Sequence, residues 1–120
     1  MQPNPNDCVI YFSTQDDRWI SHSLHTDQIG LGPGPLYALA DMLKAVQQVM
    51  KAAADDETIQ PWMEAPASVQ EMFKNADPLP KEMCEVAYWM DHGRWPDYLR
   101  IECSEPHKKF AVRGLEPTTA

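Results

Sequence analysis

Residues 32–50, GPGPLYALADMLKAVQQVM, decide how this chain folds. Gly34 followed by Pro35 is a favoured helix start, because a proline at the first helical position needs no partner for a backbone N–H. Apolar residues then recur at steps of three and four, which places them on one side of a helix: Leu36, Leu39, Leu43, Val46 and Met50. The pattern predicts a helix from Pro35 to Ala54, about 30 Å long, whose apolar stripe packs against a sheet.

The residues before this stretch predict the sheet. Cys8 to Ser13 is rich in β-branched and aromatic residues, which is typical of a strand, and residues 15–17 break the pattern as a turn does. A second strand begins near Trp19. Its side chains alternate between two faces, with Ile20, His22 and Leu24 on one face and Trp19, Ser21, Ser23 and His25 on the other.

A third, short strand is predicted at residues 29–32. There Ile29 and Leu31 alternate with Gly30 and Gly32, so one face of the strand carries no side chains. We expect another element to pack closely against that face.

The second half of the chain predicts two further helices and one or two strands. Ser68 to Asn75 forms the first helix, and Pro80 to His92 forms the second, which Gly93 ends. Residues 98–103 and 109–113 alternate as strands do, and form either a hairpin or a strand with an edge segment. The side chains expected to face inward are Trp62, Met63, Val69, Met72, Phe73, Met83, Val86, Ala87 and Met90.

Together these elements predict an α+β fold in a single domain, residues 1–120. A three-stranded antiparallel sheet with one long helix packed on it, in the order βββα, spans residues 8–54. Residues 55–120 form a helical extension with a C-terminal strand or hairpin. A length of 120 residues with 43% hydrophobic content suits one globular domain. We expect the first eight residues to be a flexible lead-in and residues 115–120 to be loose.

The composition excludes several classes of protein. The apolar run from Val9 to Phe12, with Cys8 before it, is far shorter than the roughly 20 residues that cross a bilayer, so we expect no membrane association. Residues 1–7 are polar and lack the basic segment and apolar core of a secretion signal. Three widely spaced cysteines without a C-x-x-C pair argue against a disulfide framework, which favours a cytoplasmic protein with reduced thiols.

The charge of the chain is strongly acidic. Ten basic residues against eighteen acidic ones give a net charge of −8 and a pI near 4.8. Such a surface repels phosphate backbones, because nucleic-acid affinity comes largely from Lys and Arg, so we expect no direct nucleic-acid binding. The acid excess indicates either simple solvation or a basic protein partner attracted over long range.

Candidate metal ligands do not form a recognisable motif. His22 and His25 stand three positions apart, so in a strand they point to opposite faces and cannot share one ion without a bulge. We expect His22 to be half-buried and hydrogen-bonded. Cys103 and His107 make one weak pair, where structural zinc sites have two tight pairs.

Three carboxylates suggest an enzymatic alternative. Asp16, Asp17 and Asp27 lie near strand ends, and paired carboxylates can bind Mg²⁺ for nuclease chemistry. The pattern lacks the further acids on neighbouring elements that a two-metal centre needs, which favours turn and loop acids in solvent. We therefore expect no enzyme, no metal and no cofactor.

Aromatic residues near the end of the second predicted helix indicate a contact patch. Trp89 falls off the inward stripe, and with Trp95 and Tyr98 it predicts a patch for a partner or for self-association. The alternative is a satellite core under the C-terminal strand. With Asp16 and Asp17, these three complete the predicted partner-binding residues.

Residues 17–24 (DRWISHSL), residues 27–32 (DQIGLG) and the helix with Ala38, Leu39 and Leu43 resemble the HicB-like antitoxin domain. Members of that family have an aromatic-led strand, a small apolar strand with glycine, and a helix that begins near a Gly-x-Thr-x-x-Glu-Ala pattern. Here residues 32–38 are GPGPLYA, with the Gly and the Ala but neither the Thr nor the Glu. Residues 65–66, 72–73 and 79–80 (Ala-Pro, Met-Phe and Leu-Pro) are similar to the helical extension of small bacterial HicB-like proteins.

The resemblance implies a protein-binding fold, since typical HicB antitoxins neutralise a small basic ribonuclease toxin through the βββα domain. It leads us to expect a non-enzymatic module that binds a small basic toxin or nuclease through an acidic surface. We expect a homodimer formed through a sheet edge or through helix packing. Typical members also carry a DNA-binding segment, for which this chain has no basic helix-turn-helix or ribbon. The alternatives are a phage or mobile-element inhibitor that mimics nucleic acid with its carboxylates, and an orphan domain.

Overall fold

A computed structural model of the protein describes residues 3–90 and 108–115, with side chains for all of these except residues 88–90. The described ranges hold five strands and three helices in an α+β arrangement. The elements are β1 (Cys8–Ser13), β2 (Arg18–Ser23), β3 (Ile29–Gly32), α1 (Pro35–Asp55), α2 (Ala67–Asn75), β4 (Asp77–Pro78), α3 (Lys81–Met90) and β5 (Phe110–Val112). None of the described helices is long and apolar enough to cross a membrane.

All five strands belong to one mixed sheet with the order β3-β2-β1-β5-β4. β1, β2 and β3 pair antiparallel as predicted, β5 pairs antiparallel with β1, and β4 pairs parallel with β5. The observed sheet is therefore larger than the predicted three-stranded one. β1 is the central strand, and β5 satisfies the backbone groups along its second edge, which would otherwise be unpaired. The strand predicted at residues 98–103 lies outside the described residues.

Helix α1 has the predicted bounds within one residue, and Gly34 is its N-cap with Pro35 in the first turn. It lies across β3 and β2. Its buried face is wider than a single stripe, because the helix also buries Ala38 and Met42, whose backbone lies against Gly30 of β3. Leu36 and Met50 from the predicted stripe are only partly buried. The buried residues of α1 are Pro35, Ala38, Leu39, Ala40, Met42, Leu43 and Val46.

Helix α2 and the segment before it cover part of the opposite face of the sheet. Val69 of α2 packs with Val9, Leu24 and Ala65 in a cluster of its own, and Met72 and Phe73 pack against it as predicted. The Ala65 N–H donates to the Leu24 carbonyl at 3.0 Å, which ties this segment to the end of β2. The sheet therefore has cover on both faces, and every residue of β2 after the first is buried.

Two methionines that were predicted to face inward are exposed. Met83 is 46% exposed and Met63 is 60% exposed. Helix α3 packs on α1, and its buried positions are instead Cys84 and Ala87. These are small side chains, so they allow the two helices to lie close together, and the longer Met83 is left on the outside.

Within the described part of the lead-in, Asn4, Asn6 and Asp7 are hydrogen-bonded to the other end of the chain, contrary to the prediction of a flexible lead-in. Asn4 and Asn6 each donate through Nδ2 to the Leu115 carbonyl at 3.1 Å. The Gly114 N–H donates to the Asp7 carboxylate at 2.9 Å. Leu115 is itself buried, so the predicted loose tail is ordered at its first residue. These bonds join opposite ends of the chain, and a local sequence pattern does not show them.

Candidate interaction surface

The clearest exposed apolar feature of the described residues is on β3. Ile29 is 49% exposed and Leu31 is 43% exposed, and both project from the same side of the strand. Single exposed apolar residues are common, whereas neighbouring ones held on one regular surface indicate a contact site. We name Asp27, Ile29 and Leu31 the β3 surface. The other large exposed hydrophobic residues are in the loop before α2 or on α3: Ile59, Met63 and Met83.

The glycines of β3 explain why these two side chains point outward. Gly30 and Gly32 face α1, and a Cβ atom at Gly32 would lie only 2.5 Å from the Cβ of Tyr37. The predicted close packing against this face is confirmed. Because side chains alternate along a strand, Ile29 and Leu31 must face away from α1.

The β3 surface continues inward across β2. Leu31 pairs with Ile20, and Ile29 pairs with His22. Both partners are buried, although Ile29 and Leu31 are exposed. Leu31 therefore continues inward to the apolar Ile20, whereas Ile29 borders the buried imidazole of His22, and both lie on a regular strand of the sheet.

Carboxylates stand near both ends of β2. Asp27 precedes β3 and is part of the β3 surface. Asp16 and Asp17, two of the predicted partner-binding residues, lie in the exposed turn between β1 and β2, at the other end of β2. The Ser13 hydroxyl donates to Asp16 Oδ2 at 2.9 Å, which holds this carboxylate in the turn. The structure thus places acidic groups around an apolar centre.

The predicted aromatic patch falls outside the described side chains. Trp89 belongs to α3, but its side chain is among those of residues 88–90, and Trp95 and Tyr98 lie within residues 91–107. The proposal that these aromatic residues contact a partner stays a prediction. Ile29 and Leu31 are not among the predicted contact residues, although their alternation with glycine carries the signal: a strand that buries its glycine face turns its apolar side chains outward.

His22 and His25 lie near two different carboxylates. His22 is buried, and its Nε2 lies 2.5 Å from Asp27 Oδ1. The prediction of a hydrogen-bonded His22 is confirmed, and the residue is more deeply buried than expected. His25 Nε2 lies 3.7 Å from Asp7 Oδ2. Each imidazole thus lies beside a different carboxylate, Asp27 for His22 and Asp7 for His25.

The three aspartates of the enzymatic alternative do not converge. The six residues of β2, about 20 Å of extended chain, separate Asp16 and Asp17 from Asp27. Within residues 3–90 and 108–115, no group of three or more His, Cys, Asp or Glu side chains could hold a metal ion. Cys103 and His107 lie outside those ranges. The geometry therefore does not support a nuclease centre built on these aspartates.

The described thiols are protected rather than reactive. Cys8 is completely buried, and burial raises its pKa to about 12, although the hydrogen bond from the Ser21 hydroxyl, 3.3 Å from the sulfur, opposes this shift. Burial also raises the pKa of Cys84 above its ordinary value. Because the thiolate is the nucleophile, neither side chain is suited to catalysis at neutral pH.

A cavity of about 540 Å³ lies between α3 and the residues after β5. Its charged lining residues, Lys81, Glu85 and Arg113, are exposed, and the Arg113 guanidinium already donates to the Phe73 carbonyl at 3.2 Å. Ligand pockets generally aim a few fixed polar groups at their ligand. Since these three side chains are exposed rather than fixed by burial, the β3 surface remains the better candidate site.

Comparison with known proteins gives no match to this chain, either among family models, among curated proteins or among solved structures.

Proposed function

We propose that this chain is a protein-interaction module, similar to HicB-like antitoxins, that binds a small basic toxin or nuclease. The observation that carries the proposal is the exposure of Ile29 and Leu31 on the same side of β3. Burying two large aliphatic side chains favours association, since apolar area removed from water contributes about 25 cal/mol per Å². Ile29 and Leu31 of the β3 surface supply the apolar centre of the proposed contact.

The charge of the chain supports a basic partner. The net charge is −8, and Asp16, Asp17 and Asp27 lie near the ends of the apolar centre. An apolar centre with a charged border is the usual arrangement of a protein interface. The acidic border would accelerate the encounter with a cationic protein and repel an anionic one.

The order of the elements also supports the proposed likeness. β1, β2, β3 and α1 follow one another in the βββα order, and α1 packs on the sheet. A nucleic-acid mimic has less support, because the described turn acids stand in two groups separated by the length of β2 and do not form a row.

We also propose that the protein is non-enzymatic and cytoplasmic, and that it forms a homodimer. Its non-enzymatic character is supported by the chemistry of the described residues. The His22 imidazole is buried on Asp27, and burial raises the pKa of the Cys8 thiol to about 12. These groups stabilise the fold instead of facing a substrate.

The experiment uses the full chain and the product of a short basic reading frame adjacent to its gene. Calorimetric titration measures binding, and an RNA-cleavage assay measures inhibition of that product. We expect Ile29→Ser and Leu31→Ser each to weaken binding about tenfold or more, as for central contacts of an interface. Binding should also weaken as salt is raised, because the encounter is electrostatic.

Met83→Ser is the matched control, since Met83 is as exposed as Ile29 but lies on α3. It should bind like the wild type. Equal losses in Met83→Ser and Ile29→Ser would place the contact elsewhere. The absence of such a reading frame, or of any binding to its product, would contradict the proposed function itself.

A further inference from the structure

A side chain of α1 hydrogen-bonds to the backbone at the outer edge of β3. The backbone N–H of Leu31 donates to Asp41 Oδ2 of α1 at 2.9 Å. Among the described strands, β3 is the last on its side of the sheet, so this bond lies where a further strand would otherwise pair.

The pairing register shows which way the Leu31 N–H points. Ser23 donates its N–H to the Gln28 carbonyl at 2.9 Å, and the same register pairs Ser21 with Gly30 and Ile20 with Leu31. Hydrogen-bonded and non-hydrogen-bonded pairs alternate in an antiparallel ladder. The Ile20–Leu31 pair is therefore of the second kind, and the backbone groups of Leu31 point away from β2, toward the open edge.

The close approach of α1 makes this hydrogen bond possible. A Cβ atom at Gly30 would overlap with the backbone of Ala38 and Met42, so the helix backbone lies directly on the strand at this point. An aspartate has a short side chain, and from Asp41 it reaches the edge of β3 only because the helix is this close.

The other edge of the sheet is also closed. β4 is only two residues long, and its second residue is Pro78, which has no N–H to donate. Short strands and prolines are the usual protection of an edge against pairing with another chain. Asp41 would do the same for β3, with a carboxylate in place of a proline.

We propose that the Asp41 carboxylate, by occupying the Leu31 N–H, hinders pairing of the β3 edge with β3 of a second copy of this chain. Any homodimer then uses a face of the molecule rather than a continuous sheet. The inference does not depend on a toxin partner, since it concerns only how copies of this chain meet.

The experiment compares Asp41→Ala with Asp41→Asn in the full chain. Asn keeps an oxygen that can accept the Leu31 N–H, whereas Ala removes the acceptor. Sedimentation over a concentration series measures self-association, and NMR-detected hydrogen exchange in dilute protein measures protection of the Leu31 amide. Asp55→Ala, an exposed position at the end of α1, removes the same charge without touching the sheet.

We expect Asp41→Ala to exchange its Leu31 amide about tenfold faster and to self-associate at least about tenfold more tightly than the wild type. Asp41→Asn and Asp55→Ala should behave like the wild type in both measurements. Sheet amides of Asp41→Ala that stay protected will show that the variant is folded. Unchanged exchange and unchanged association in Asp41→Ala would overturn the proposal, as would equal effects of Asp55→Ala.

Discussion

Gly30 of β3 lies directly against the backbone of Met42 in α1, with no room for a side chain between them. A Cβ atom built at Gly30 would overlap with the Met42 nitrogen and with the Ala38 carbonyl oxygen. Both obstacles are backbone atoms of a helix, which cannot move aside singly. The position therefore sets the distance between the helix and the sheet.

Gly30→Ala should destabilise the protein by about 3 kcal/mol, because overpacking of this kind forces the helix and strand apart. Urea denaturation measures the free energy of unfolding. Gly34→Ala is the matched control, since a Cβ atom there would meet only Tyr37, at an ordinary contact distance of 3.4 Å. Similar losses in the two variants would show that α1 can shift away from β3 at little cost.

Asp27→Asn should destabilise the protein by about 1 kcal/mol, because it removes the charge-assisted bond to the buried His22. Asp27 has a left-handed backbone, φ 55°, which Asn tolerates well, so the substitution changes the side chain alone. Thermal and urea denaturation at neutral pH give the difference.

Asp17→Asn is a close control for that substitution. Asp17 has nearly the same backbone angle, φ 52°, and lies in the exposed turn between β1 and β2. It should change the free energy of unfolding by less than about 0.5 kcal/mol, as surface substitutions generally do. An equal effect at both positions would mean that the His22–Asp27 bond adds little to stability.

Cys8 should make the protein less stable at alkaline pH. Burial raises the pKa of the native thiol from 9.0 to about 12, so above pH 9 the unfolded chain releases this proton while the folded chain retains it. The free energy of unfolding then falls with rising pH, by up to about 1.4 kcal/mol per unit from this group. Below pH 8 the thiol is protonated in both states and contributes no slope.

Comparison with Cys8→Ala isolates this contribution. The variant loses packing at every pH, so its deficit should be constant between pH 6 and pH 8, within about 0.5 kcal/mol. From pH 9 to pH 11 the difference in the free energy of unfolding between the two proteins should shrink. The reason is that only the unfolded wild type can ionise a thiol at position 8, which lowers the stability of the wild type alone. Tyr11, whose pKa is also raised by burial, affects both proteins alike. A deficit that stays constant up to pH 11 would contradict this account.

Local sequence patterns were sufficient for the elements of the first half. Three of them, β1, β3 and α1, have the predicted bounds within one residue. Each depends on residues close together in the chain: β-branched runs, glycine alternation, and a proline at the first turn of a helix. The same patterns do not show which face of α3 is buried. Met83 is larger and more hydrophobic than Cys84 and Ala87, so a pattern of hydrophobic residues favours burial of Met83, whereas the two small residues are the ones that are buried.

The candidate site was only partly visible in the sequence. Asp16 and Asp17 lie in an exposed turn as expected, whereas the exposure of Ile29 and Leu31 follows from what the glycine face packs against. The bond between Asp41 and Leu31 joins residues ten positions apart on different elements. An aspartate or a leucine in the sequence does not by itself indicate such a bond.

The sequence by itself determined the spacing of apolar residues, which is two in the strands and three or four in α1, and the net charge of −8. The tertiary structure alone decided which edges are paired, which polar groups meet, and which apolar side chains remain outside. The reason is that periodicity is a property of neighbouring residues, whereas burial and hydrogen bonding depend on elements brought together from distant parts of the chain. β5 lies beside β1 although about a hundred residues separate them, and only folding creates that contact.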